Sequence, residues 1–144
     1  HITGELDWAL VKHNHGQLPV ELASRYHIMP YLHDMGAALA SADIVVSRAG
    51  ASSLGEYPLY GLPAVLVPYP HAWRYQKVNA DYLARRGAAV VLEDHRLKDE
   101  LLKTLRVLLE NPNKLKAMRA AMFELSRPRA AEKIASRLIE LAGA

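Results

Sequence analysis

Apolar positions change their period along this chain. Three runs are apolar on consecutive residues: Ile44-Val45-Val46, Ala64-Val65-Leu66-Val67 and Ala88-Ala89-Val90-Val91-Leu92. A strand covered on both faces reads this way, whereas a half-solvated strand alternates. Amphipathic stretches, Ser53 to Tyr60 and Tyr75 to Arg86, separate the runs and suit helices. Strand, helix, strand, helix at this interval predicts βαβ units and a parallel sheet. An earlier unit is predicted from His1 to Thr3 as a strand remnant, a helix around Glu21 to Ser24, and His27-Ile28-Met29 as a strand. A short helix from Asp34 to Ser41 then leads into the Ile44 run. In the last third, Leu97, Leu101, Leu102, Leu105, Leu108 and Leu109 fall at helical spacing, and Asn111-Pro112 is expected to end that helix. Leu115 to Leu125 predicts a second helix, and Ala131, Ile134, Ala135, Leu138 and Ile139 stripe a third. Such stripes read as packing faces. The pattern therefore predicts an α/β fold, a doubly wound parallel sheet with C-terminal helices.

Composition narrows this only a little. A length of 144 residues with 51% apolar content fits one domain with a real core. There is no cysteine, which excludes disulfides and thiolate metal sites. No apolar run approaches the roughly 20 residues that span a bilayer. The chain opens on His1 and not on Met. A piece of a longer protein is the expectation, and a neighbouring domain would then hold part of any active site. From His95 onward there are 11 Lys/Arg against 6 Asp/Glu, within a net charge of +3. This basic tail reads as a solvated helical surface, with an anionic membrane surface as the alternative and no nucleic acid.

Ligands of open parallel sheets bind beyond the carboxyl ends of the strands, and three loops there carry unusual residues. The first, Ser47-Arg48-Ala49-Gly50-Ala51-Ser52-Ser53, enters a helix N-terminus, where free N–H groups and the helix dipole suit a diphosphate. Gly50 there permits close backbone approach or a positive φ. Ser53-x-x-Glu56 has two readings: a capping box, or an acidic group placed to bond a pair of ribose hydroxyls. The second, Pro68-Tyr69-Pro70-His71-Ala72-Trp73-Arg74-Tyr75, leads to Gln76 and Asn79, three apart at a helix start. Their amides suit sugar hydroxyls or plain solvation. In the third, Met29 to Met35, backbone groups could bond a base edge while Tyr31, Leu32 or Met35 packs on its ring. Asp34 reads as the cap of the following helix. The seven histidines form no metal set, and no acid–base pair can be assigned.

Together these loops resemble the MurG family of glycosyltransferases, family 28. Ala42-Asp43-Ile44-Val45-Val46-Ser47-Arg48-Ala49-Gly50-Ala51-Ser52-Ser53 through Glu56 matches its A-D-x-V-x-x-R-x-G-A-x-[ST]-x-x-E segment. Gly61 to Pro68 matches its G-x-P-x-x-x-x-P element, His71, Gln76 and Asn79-Ala80 its H…Q…N-A, and Gly87-Ala88-Ala89 its G-A-A strand entry. Arg127-Pro128 and Ala130 to Ala135 are similar to its closing helix.

The resemblance implies a GT-B fold of two Rossmann-like domains, with residues 1–144 as the C-terminal, donor-binding one and the acceptor domain absent. It implies that Gly50, Ala51, Ser52 and Ser53 hold a diphosphate and that Glu56 holds the ribose. Leu32 would bond uracil through its backbone, lined by Tyr31 and Met35. Gln76 and Asn79 would read the sugar, with Arg48, His71 and Tyr75 among the substrate contacts. It further implies a UDP-sugar donor, UDP-GlcNAc, and a lipid-linked acceptor bound through the missing domain, with GlcNAc added to lipid I in peptidoglycan synthesis. Inversion by direct displacement without metal or cofactor follows, with the base on the missing domain and a cytoplasmic location peripheral to the inner membrane face. The family's Gly-Gly-Ser phosphate loop lies ahead of His1, and Trp73 and Tyr75 replace an Asp and a Gln, so sugar identity stays open. Other readings are the donor subunit of a split GlcNAc transferase, another UDP-sugar lipid transferase, or a non-catalytic nucleotide-binding module.

Overall fold

The structure is a computed structural model describing residues 1–72 and 75–143; Trp73, Arg74 and Ala144 lie outside the described residues. The chain forms two compact units, His1–Ala38 and Leu39–Ala144.

In the first unit, α1 (Glu5–His15) follows Gly4, whose φ is 75°. The apolar pattern does not predict this helix, because α1 buries no residue and its Leu6 is 98% exposed. Its support is local: Glu5 and Asp7 lie at the positive end of its dipole, and Lys12, His13 and His15 at the negative end. The predicted helix near Glu21 forms as α2 (Val20–Ala23). The predicted strands at His1–Thr3 and His27–Met29 shrink to one parallel bridge between Ile2 and Met29. Thr3 N–H donates to the Met29 carbonyl and Met29 N–H to that of His1, both at 3.0 Å. Pairing goes no further than this bridge. Asp34 caps α3 (Met35–Ser41), its Oδ1 accepting from Ala37 N–H at 2.9 Å.

The second unit is built on a parallel sheet in the order β1 (Val45–Ser47), β2 (Ala64–Leu66), β3 (Ala89–Val91). Val45 pairs with Ala64, and Ala64 with Ala89. The crossovers are α4 (Ser53–Tyr60) and α5 (Tyr75–Ala84). Alternate residues of the central strand enter different cores. Ala64 and Leu66 pack with Leu39, Tyr57, Leu62, Leu83 and Met122. Val65 and Val67 pack with Leu92, Leu108 and Met118. Both faces of β2 are therefore sealed, which is why its sequence is apolar without alternation.

Both crossover helices stop in the same way. Gly61 (φ 56°) follows α4, with Leu62 N–H bonded to the Tyr57 carbonyl at 2.9 Å. Gly87 (φ 74°) follows α5, with Ala88 N–H bonded to the Leu83 carbonyl at 3.1 Å. This left-handed glycine turns each helix directly into the next strand.

After β3, a 3-10 turn (Asp94–Arg96) leads to α6 (Leu97–Leu109), α7 (Pro112–Glu124) and α8 (Ala130–Leu141). Asn111-Pro112 starts a helix where the sequence suggested an ending: Asn111 Oδ1 accepts from Lys114 N–H at 3.0 Å and Pro112 occupies the first turn. α7 consequently begins ahead of the predicted Leu115. Of the α6 stripe, Leu108 is buried while Leu102 and Leu109 are exposed. α7 supplies Met118 to one core and Met122 to the other. The α8 stripe was expected to pack, yet α8 buries none of its residues, and Ile134, Leu138 and Ile139 are exposed.

The two glycines at the ends of the β1–β2 crossover should respond differently to an added methyl group. A Cβ on Gly61 would occupy left-handed backbone and land in the Phe123 ring, whereas a Cβ on Gly50 would meet nothing. Denaturant unfolding should show Gly61→Ala destabilised by about 1–2 kcal/mol, with Gly50→Ala close to the parent.

Candidate functional site

The turn between β1 and α4 leaves backbone donors facing outward. Ser53, Leu54, Gly55 and Glu56 bond their N–H groups to the carbonyls of Gly50, Ala51 and Ser52. The N–H groups of Gly50, Ala51 and Ser52 have no acceptor among the described residues. They sit at the positive end of α4, an arrangement that receives anions. Gly50 does not have a positive φ, so close approach is the property its missing side chain supplies. Ser53 was expected to face a diphosphate, but its side chain turns inward. It is 2% exposed, and Oγ donates to the Gly50 carbonyl at 2.5 Å, pinning the turn.

The Ser53-x-x-Glu56 capping box does not form. The cap position belongs to Ser52, which makes no side-chain cap bond. The Glu56 carboxylate is exposed and has no hydrogen bond or ion pair among the described residues. An acceptor-only group one turn into α4 is thus available to a ligand's hydroxyl donors.

The loop after β2 is tied to this turn. Asn79, half-buried on α5, donates Nδ2 to the Ala49 carbonyl at 3.0 Å. Gln76 Oε1 accepts Tyr69 N–H at 2.8 Å. The two amides that sequence reading offered to a sugar therefore also hold the two loops, and each keeps ungiven polar groups. Tyr75 opens α5 with 67% exposure, and His71 packs edge-on against Tyr69 at 5.4 Å between ring centroids. Trp73 lies outside the described residues.

Arg48, expected to be a substrate contact, is engaged by protein. Nη1 donates to the Val67 carbonyl at 3.2 Å and forms an ion pair with Asp94, while the guanidinium lies 5.3 Å from the centre of the Tyr69 ring. Asp94 was not singled out from sequence, because one acidic residue after a strand carries no local signal. Tyr57 was also missed. It donates its hydroxyl to Ser47 Oγ at 2.8 Å, fixing α4 to the end of β1. Burial pushes its pKa up, the Ser47 bond lowers it, and the Glu56 charge raises it.

In the first unit, Leu32 is half-buried and its backbone groups enter no hydrogen bond among the described residues. Tyr31 and Met35 are exposed, and Tyr31 meets His33 edge-on at 4.9 Å.

A cavity of about 950 Å³ opens elsewhere, lined by Pro68, Tyr69, Lys77, Asp81, Glu93 and Asp94 among others. It lies on the face of α5 bearing Lys77, Val78 and Asp81, and neither Glu56 nor the Gly50 turn lines it. Its charges are largely paired among themselves: Lys77 meets Asp81 at 3.5 Å, Asp94 meets Arg48, and Glu93 lies 3.6 Å from His95. Donors and a carboxylate without partners among the described residues make the Gly50–Glu56 turn the better candidate despite the cavity's volume.

The glycosyltransferase family 28 C-terminal domain matches residues 1–134. The chain belongs to this family. Among relatives of the family 28 chain, the UDP-N-acetylglucosamine–N-acetylmuramyl-(pentapeptide) pyrophosphoryl-undecaprenol N-acetylglucosamine transferase of Moorella thermoacetica is 44% identical over 137 residues. That match covers 92% of this chain and 37% of the relative. The same enzyme of Roseiflexus sp. is 43% identical over 138 residues, covering 82% and 31%. The chain thus spans about a third of the curated relatives it matches. Among solved structures, Acinetobacter baumannii MurG superposes with a TM-score of 0.72 at 28% identity, covering 86% of this chain and 39% of that one. Spinosyn forosaminyltransferase SpnP shares the fold at a TM-score of 0.68 and 22% identity, covering 89% and 33%. The three-stranded parallel sheet with its surrounding helices matches the Rossmann-like C-terminal domain of MurG.

The Tyr57 shift has a defined pH signature. A phenol with a raised folded pKa keeps its stabilisation below the unfolded value of 10.0 and loses it as pH climbs above that. Alkaline unfolding from pH about 10 upward should be steeper in the parent than in Tyr57→Phe, as read by circular dichroism.

Proposed function

We propose that this chain is the donor-binding domain of an inverting UDP-sugar glycosyltransferase, with GlcNAc as the sugar and a lipid-linked acceptor. One observation carries the reading: three N–H groups at 50–52 and, one helical turn away, the Glu56 carboxylate have no partner among the described residues. Diphosphate and ribose present the complementary groups, anionic oxygens followed by a pair of hydroxyl donors. The names of the family 28 relatives support the same donor and a peptidoglycan precursor as acceptor.

In this reading Gly50, Ala51 and Ser52 bind the diphosphate through backbone N–H groups, and Ser53 holds their turn. Glu56 accepts from the ribose hydroxyls. Gln76 and Asn79 address the sugar with the polar groups that their loop contacts leave over, beside His71 and Tyr75. The acceptor hydroxyl attacks the anomeric carbon from the face opposite the diphosphate, and the bond from that carbon to the β-phosphate oxygen breaks with inversion. UDP leaves with the electron pair, and the acceptor proton passes to a base outside this chain. The α4 N-terminus stabilises the charge that grows on the departing diphosphate.

The base and the acceptor site belong to a further domain of a longer protein, so residues 1–144 alone should bind donor and transfer nothing. No helix among the described residues is long and apolar enough to cross a membrane. Peripheral attachment at the cytoplasmic face is the arrangement that a lipid-linked acceptor requires.

Calorimetric titration of the chain with UDP-GlcNAc, UDP-galactose and UDP tests the reading. Saturable binding with GlcNAc preferred over galactose is expected, weakened by about 1–3 kcal/mol in Glu56→Ala. Binding that Glu56→Ala leaves untouched would remove the ribose role.

A further inference from the structure

We propose that Asp94 is a positioning residue for the diphosphate turn, acting through Arg48; this rests on the donor-binding reading above. Asp94 begins the 3-10 turn after β3, some distance in sequence from the Gly50 turn, and no motif contains it. Its carboxylate pairs with Arg48, the residue immediately before buried Ala49 and the unsatisfied N–H groups.

The Arg48 guanidinium is where the ends of all three strands meet. Arg48 itself leaves β1, its Nη1 reaches the Val67 carbonyl at the end of β2, and Asp94 approaches from the end of β3. Tyr69, two residues beyond Val67, covers the guanidinium with its ring and is held through its own N–H by Gln76. The Gly50 turn thus has two anchors to the rest of the edge: the Asn79 amide on the Ala49 carbonyl, and Arg48 with Asp94.

Exposure decides what this ion pair does. The side chains of Arg48 and Asp94 are 46% and 33% exposed, so solvent screens the pair and its contribution to global stability is small. Its effect is geometric. A planar guanidinium holds a carboxylate, a carbonyl and an aromatic face in one fixed geometry, which a freely rotating lysine ammonium does not. Without Asp94, Arg48 retains a single carbonyl bond and one ring contact, and the orientation of its backbone, which starts the turn, loosens. The predicted loss falls on phosphate recognition and spares the nucleoside.

The test compares the 144-residue chain with Asp94→Asn and Asp94→Glu. UDP and uridine are titrated by NMR, melting temperatures are recorded, and amide exchange is followed at Ser53, Leu54, Gly55, Glu56 and Tyr69, whose N–H groups are hydrogen-bonded. Asp94→Asn should weaken UDP by about three- to tenfold, within the range for residues coupled through a shared network. Uridine affinity and melting temperature should hold, exchange at 53–56 should quicken, and Asp94→Glu should recover part of the UDP affinity. Equal losses for UDP and uridine with a lower melting temperature would reduce Asp94 to a fold-stabilising residue. Tighter UDP binding in Asp94→Asn would overturn the proposal, since it would make Arg48 a direct phosphate ligand that Asp94 restrains. If the parent chain binds no UDP, the donor reading fails, and exchange measured without ligand still decides: faster at the hydrogen-bonded amides of 53–56 in Asp94→Asn upholds the brace, and unchanged exchange refutes it.

Discussion

Closure of both faces of β2 governs everything else in the second unit. With Ala64 and Leu66 in one core and Val65 and Val67 in the other, no surface of the central strand is open to a ligand. What remains reachable is its end, where the chain leaves the sheet and backbone groups lose their ladder partners. The same closure forces the crossovers to be helices of limited length, each ended by a left-handed glycine that feeds the following strand. The outcome is three loops of different composition gathered on one edge, with Arg48 as their common contact.

How far the sequence revealed this depended on the range of each interaction. β2 and β3 fell inside the predicted apolar runs and α4 at its predicted limits, because burial on two faces leaves a pattern that needs no partner to be recognised. α1 was invisible because it buries nothing, so its sequence was under no pressure to show a stripe. The stripe of α8 was visible but misread, since periodicity reports an apolar face and not what covers it. Asn111-Pro112 was ambiguous by nature: the residues that break one helix are good at starting another.

The candidate site shows the same division. The Gly50 turn and Glu56 were legible as groups, yet local spacing could not choose between capping and ligand contact at Glu56. The folded turn removed the capping reading, by turning Ser53 inward to Gly50 and leaving the carboxylate without a partner among the described residues. Arg48 went the other way. A lone cation beside a phosphate-like turn invites a direct role, and only the fold brings Asp94 and the Val67 carbonyl to it. Contacts between residues far apart in sequence leave no periodic trace, and they engaged Arg48.

The bond from Asn79 to the Ala49 carbonyl carries a thermodynamic consequence. In the proposed function this one amide fastens the start of the turn that takes the diphosphate and also addresses the sugar. A hexose that draws on Asn79 must then act on a side chain already engaged with the turn. Recognition of the two halves of the donor is not independent, and the free energy of the whole molecule will differ from the sum of its separately bound fragments. The parts of a nucleotide sugar would be felt here as a single object, through a shared hydrogen-bonding group.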